Sequence, residues 1–169
     1  MGFTDDVSMH KYISISQFIY DITSDWSYSE TDGIPSIKHI GTENVYIFIP
    51  INLLCSPNMN QGAKIKKIDI YYKIAIATLT GMSEPKINKN KLPEHGLDIT
   101  NENLNVTFDE NNNDASKRRA IGSHKLTMTL DTPYYVKDDE KIEINFNFTG
   151  GATTETFIYG AQVEFELRL

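Results

Sequence analysis

Polar and apolar residues alternate along much of this chain, most clearly at its end. From residue 156 to 169, Phe157, Tyr159, Ala161, Val163, Phe165, Leu167 and Leu169 take every second position. Ile158, Gly160, Gln162, Glu164, Glu166 and Arg168 lie between them. A period of two is that of a strand with one face in the core and one toward water. Residues 141–149 do the same, with Ile142, Ile144, Phe146 and Phe148 set against Glu143, Asn145, Asn147 and Thr149. The link Gly150-Gly151-Ala152-Thr153-Thr154 consists of turn-tolerant residues, so the two segments predict a long β-hairpin. Its polar face reads as the solvent side rather than as a site.

Further strands follow from the same pattern. Residues 10–22 are rich in β-branched and aromatic side chains, which favour a strand over a helix. Residues 44–54 carry Val45, Ile47, Ile49, Ile51 and Leu53 on one face and Tyr46, Phe48 and Leu54 on the other. Such a strand is covered twice or meets a partner, and Pro50 requires a bulge or an edge position. Residues 64–80 form another long alternating run, and shorter ones occupy 103–108 and 123–130, the last broken by Asp131-Thr132-Pro133. The polar stretch 109–119 predicts a mobile loop. No twelve-residue window has clean helical periodicity. Eight or nine strands predict an all-β fold, a two-sheet antiparallel β-sandwich of jelly-roll-like type. The expected domain spans 1–169, with a short N-terminal arm over 1–9.

Composition narrows the class of function. Hydrophobic residues make up 40% of the 169, enough for a sizeable core. A net charge of −7 argues against nucleic acid as a partner, since such binders present a basic face. Cys55 is the single cysteine, so no intrachain disulfide or cysteine metal cluster can form. The start of the chain lacks the pattern of a secretion signal, and no apolar run reaches the length of a membrane helix. The expectation is a soluble protein made in a cytoplasm, with no membrane partner.

The search for chemistry returns little. Nucleotide-binding glycine loops and serine nucleophile elbows are absent, and His10, His39, His95 and His124 are scattered. Asp109, Asn111 and Asn113 imitate the start of a calcium loop. However, Asp114 replaces its glycine and Ala120 its terminal glutamate, so a solvated polar loop is the stronger reading. No metal, cofactor or catalytic residue is assigned, and the expectation is a non-enzyme. Arg118 and Arg119, with Lys117, offer an acidic-partner contact, against the plainer reading of a solvated loop end. Tyr46 and Phe48, on the outer face of the doubly apolar strand, are candidate interface residues, as are Tyr71 and Tyr134, whose rings combine apolar area with a polar tip. Trp26, the only tryptophan, is read as a core or rim residue, with a glycan-stacking platform as the alternative.

The closing run Thr156-Phe157-Ile158-Tyr159-Gly160-Ala161-Gln162-Val163-Glu164-Phe165, preceded by Asp138-Asp139-Glu140-Lys141-Ile142-Glu143-Ile144, resembles the last strands of jelly-roll domains in phage and other viral structural proteins. The resemblance covers about the final third of the chain. It implies a virion component, such as a capsid decoration protein or a head- or tail-fibre module. Such a component self-associates, with a trimer favoured, and packs on capsid or tail proteins. The competing expectation is a carbohydrate-binding β-sandwich module.

Overall fold

A strand with one apolar face must bury it against a second layer, and here the chain builds both layers itself. A computed structural model of the chain describes residues 6–20, 26–31, 33–53, 63–91, 99–137 and 139–168. The strands are β1 (Asp6–Ser14), β2 (Ile19–Tyr20), β3 (Trp26–Thr31), β4 (Ile34–Ile40), β5 (Asn44–Ile51), β6 (Ala63–Ala75) and β7 (Gly81–Met82). They continue as β8 (Lys86–Lys91), β9 (Thr100–Leu104), β10 (Val106–Phe108), β11 (Gly122–Tyr135), β12 (Glu140–Thr149) and β13 (Glu155–Arg168). One short helix, α1 (Ala115–Arg119), precedes β11.

The seven-stranded sheet runs β10-β11-β6-β13-β4-β3, with β1 also beside β13. The six-stranded sheet runs β2-β5-β12-β8-β9, with β7 also on β12. All the pairings are antiparallel, so the fold is the expected jelly-roll-like sandwich. Between the sheets lie Val45, Ile47 and Ile49 of β5, Ile68, Ile70 and Ile74 of β6, Leu126 and Met128 of β11, and Ile142 and Ile144 of β12. Each is essentially closed to solvent, and burying one such side chain is worth about 1.5–3 kcal/mol.

The predicted closing hairpin does not form. β12 sits between β5 and β8 in one sheet, while β13 sits beside β6 in the other. Alternation reports which face is dry, not which strand is the neighbour, and these two strands belong to opposite sheets. The glycine link makes the crossing: a Cβ on Gly150 would stand 2.3 Å from the Gly41 carbonyl oxygen. Thr154 closes the turn, its hydroxyl accepting from the Gly151 N–H at 2.8 Å.

Other boundaries shift for local reasons. The run 10–22 divides into β1 in one sheet and β2 in the other, joined by the 3-10 turn Ile15–Gln17. Residues 6–9, expected in an arm, pair with β13 as part of β1. β5 has β12 along its whole length on one side but β2 only at Ile47 and Phe48 on the other, which accommodates Pro50. Asp131-Thr132-Pro133 shifts the register of β11 between Thr129 and Tyr134 without ending the strand.

The polar stretch 109–119 is ordered by its own side chains rather than loose. The Asp109 carboxylate accepts from the backbone N–H groups of Asn111 and Thr127 at 3.0 and 2.8 Å, and from the Asn112 amide. Asp114 caps α1, accepting from the Lys117 N–H at 2.9 Å. Cys55 and His95 lie outside the described residues.

Candidate functional site

Halfway along β13 the inward face changes phase. Ile158 pairs with Tyr72 and Gly160 with Tyr71, so Tyr159 is an extra residue, a β-bulge. Thr156 and Ile158 point to the core before it, and Ala161, Val163 and Phe165 after it. The unbroken inward row read from the sequence is thereby corrected: Phe157 and Tyr159 belong to the outer face. At the same place β13 exchanges one neighbour for another, pairing with β4 up to Ile158 and with β1 from Gly160 onward.

The bulge and the change of partner leave a groove of about 480 Å³, lined by Tyr12, Ile34, Tyr71, Tyr72, Lys73, Ser123, His124, Tyr159 and Gln162. Tyr12 crosses the bulge, its hydroxyl donating to the Tyr159 carbonyl at 2.5 Å. Only a glycine permits this crossing. A Cβ on Gly160 would lie 2.3 Å from the Tyr12 Oη, and its φ of +146° is one that other residues rarely adopt. The Tyr71 hydroxyl donates to Gln162 Oε1 at 3.2 Å, leaving the Gln162 amide nitrogen as a donor. Partial burial, then the neighbouring Tyr71, raises the Tyr12 phenol above its ordinary pKa. It therefore stays protonated at neutral pH.

In the groove's wall, His124 stacks on Tyr72 with ring centroids 4.7 Å apart. The Tyr72 hydroxyl donates to the Arg118 carbonyl at 2.9 Å, and burial raises its pKa. His124 Nε2 lies 2.8 Å from the Ala120 carbonyl, which can only accept, so that nitrogen carries the hydrogen. These contacts fix the supporting strands.

The arrangement can present tyrosine faces to the apolar side of a ligand, ringed by hydroxyl, amide and ammonium groups for its polar edge. That is the chemistry of a polyhydroxylated ligand with flat C–H faces. Among the described residues no cluster of His, Cys, Asp or Glu could hold a metal ion. Two of the three side chains of the calcium-like loop are engaged: the Asp109 carboxylate accepts from Asn111, Asn112 and Thr127, and Asn113 Oδ1 accepts from Lys117 Nζ at 2.9 Å.

The candidate residues read from the sequence scatter. Tyr71 lies in the groove. Tyr46 and Phe48 line a smaller hollow of about 280 Å³ on the outer face of the other sheet, with Lys86, Asn145 and Asn147. Arg118 is buried, not exposed: its Nη1 donates to the Asn112 carbonyl at 2.8 Å and its guanidinium stands 5.2 Å from the Phe108 ring centre. Arg119 is engaged by the Ala115 and Thr80 carbonyls. Arg118 thus secures its loop from inside, while Arg119 is half-buried and spends two of its nitrogens on these backbone carbonyls. The Tyr134 hydroxyl donates to Glu140 at 2.6 Å, and its pKa is pushed up to about 12, first by burial and then by that hydrogen bond. Trp26 is half-buried and packs on Tyr20, His39 and Phe148 at the edge of the core, away from the groove.

Tyr12 and Tyr159 were missed. The available signal was Gly160: an isolated glycine inside a strand pattern marks a bulge or a close approach of another group.

No protein-family model and no curated protein matches the chain by sequence. Solved structures are similar in fold. One is the CBM22-1 and GH10 modules of the Clostridium thermocellum endo-1,4-beta-D-xylanase 10B with xylohexaose, at 9% identity and TM-score 0.48. That match covers 94% of this chain and only 28% of the other. A CBM22-1 xylan-binding domain from Paenibacillus barcinonensis matches at 12% identity and TM-score 0.48, over 96% of this chain and 95% of that one. A family 29 carbohydrate-binding module from Piromyces equi matches at 14% identity and TM-score 0.40, over 92% and 90%. At such identities the likeness concerns the sandwich, and the ligands named belong to those proteins.

Proposed function

We propose that this chain is a non-catalytic carbohydrate-binding sandwich that holds a segment of glycan along the tyrosine groove of its seven-stranded sheet. The observation that carries the reading is the convergence of Tyr12, Tyr71 and Tyr159, from three neighbouring strands, around Gln162, Lys73 and Ser123. Sugar rings stack their C–H faces on such phenols, and their hydroxyls pair with the surrounding donors and acceptors. The volume falls in the range of small-ligand sites, roughly 300–1,000 Å³. Strand-borne side chains also lose little freedom on binding, which favours a platform that needs no rearrangement. Titrating the protein with a panel of soluble oligosaccharides tests this. Tyr71→Ala and Tyr159→Ala should each weaken binding at least tenfold, while Tyr46→Ala on the opposite face leaves it unchanged.

A second reading, a self-associating virion component packed on capsid or tail proteins, has one observation in its favour. The edge of β5 past Phe48 lacks a paired strand among the described residues, and the exposed Tyr46 stands on that strand. Light scattering decides it: a monomer at every concentration, with no trimer, removes the support.

A further inference from the structure

We infer that the groove selects an acidic glycan, one bearing a uronic acid whose carboxylate is met by Lys73; this rests on the carbohydrate-binding reading and adds a ligand class to it. The chain carries 23 acidic residues against 16 basic ones, yet none of the side chains lining the groove is a carboxylate. The acidic groups around it are already neutralised. Asp69 accepts from Lys125 at 2.9 Å and from the Thr127 hydroxyl at 2.7 Å. Glu155 is paired with Lys38 at 2.5 Å and Glu164 with Lys67 at 2.9 Å. Lys73 differs from these lysines. It lies in register between Phe157 and Ser123, and no carboxylate among the described residues pairs with it.

The groove is therefore a locally positive hollow on an acidic protein, with phenol and amide donors beside the ammonium. A carboxylate placed there gains a charge-assisted hydrogen bond without displacing an existing ion pair. A cationic sugar finds no counter-charge among the lining side chains. The long-range field of the protein opposes an anionic polymer, so the preference depends on this local arrangement and fades as salt screens it.

The test compares a uronic-acid oligosaccharide with its carboxyl-reduced, neutral counterpart by calorimetric titration at low and moderate salt. The acidic form should bind about tenfold more tightly at low salt, with the gap narrowing as salt rises. Lys73→Met should close the gap between the acidic and neutral forms, whatever it costs the two in common, and Lys73→Arg should keep it. Equal binding of the two forms, or a gap that survives Lys73→Met, overturns the acidic preference and leaves the glycan reading standing. If neither form binds, and no neutral glycan binds either, both fall together.

Discussion

Replacing Gly160 by alanine attacks the bulge that builds the groove. The added Cβ would sit 2.3 Å from Tyr12 Oη, 2.6 Å from its Cζ and 2.9 Å from the Ile13 carbonyl oxygen. Moving the tyrosine alone cannot relieve the last contact, which is to backbone. The φ of +146° adds strain on the order of 1–3 kcal/mol for a residue with a side chain. Expelling Tyr12 also forfeits its hydrogen bond to Tyr159, worth about 0.5–1.5 kcal/mol. The sum is roughly 2–4 kcal/mol, which for a domain of this length lowers Tm by about 5–15 °C. Calorimetric unfolding of Gly160→Ala measures it, and Tyr12→Ala in the same background separates the terms. On the Tyr12→Ala background, where that hydrogen bond is already gone, the Gly160→Ala step should cost only the backbone strain and the contact with Ile13. A Gly160→Ala protein as stable as the parent, with full glycan affinity, would refute this account of the bulge.

Two further outcomes follow from the surrounding network. Asp109→Ala strands the Thr127 N–H and leaves the buried Asn112 amide with only the Lys125 carbonyl, so urea unfolding should show a loss of roughly 1–3 kcal/mol with groove binding intact; an unchanged midpoint contradicts the clamp. Glu164 is held below the ordinary glutamate range, chiefly by its hydrogen bond from Lys67. Its contribution is thus present above the unfolded pKa and lost as pH falls through the folded value. Because the pair is at the surface this amounts to under about 1 kcal/mol. Glu164→Gln should flatten the acid limb of Tm against pH by that small amount, and a steeper limb would reverse the sign argued for it.

Sequence pattern and structure agree where burial alone decides the outcome. Val45, Ile47, Ile49 and Ile51 face inward as their alternation requires, as do Ile142, Ile144, Phe146 and Phe148. Pairing was not legible, because an amphipathic strand looks the same whether its successor lies beside it or across the core. That is why β12 and β13 read as a hairpin. The site was hidden for a related reason. A bulge shifts the phase by one residue, so Tyr159 reads as core from the sequence and lies on the outer face in the fold. Tyr12 and Tyr71 are 59 positions apart and meet only through β13, which pairs with both of their strands. Arg118 shows the opposite error: a basic run suggested a surface, but the planar guanidinium served to lock the loop from inside.

The most direct measurement is calorimetric titration of the full chain against a glycan panel, repeated with Tyr71→Ala and Tyr46→Ala. The account predicts binding to at least one glycan, lost or weakened tenfold or more in Tyr71→Ala and retained in Tyr46→Ala, with both variants folded by circular dichroism. Binding that survives Tyr71→Ala but is abolished by Tyr46→Ala would move the site to the opposite sheet, and the absence of any glycan ligand would contradict the proposed function outright.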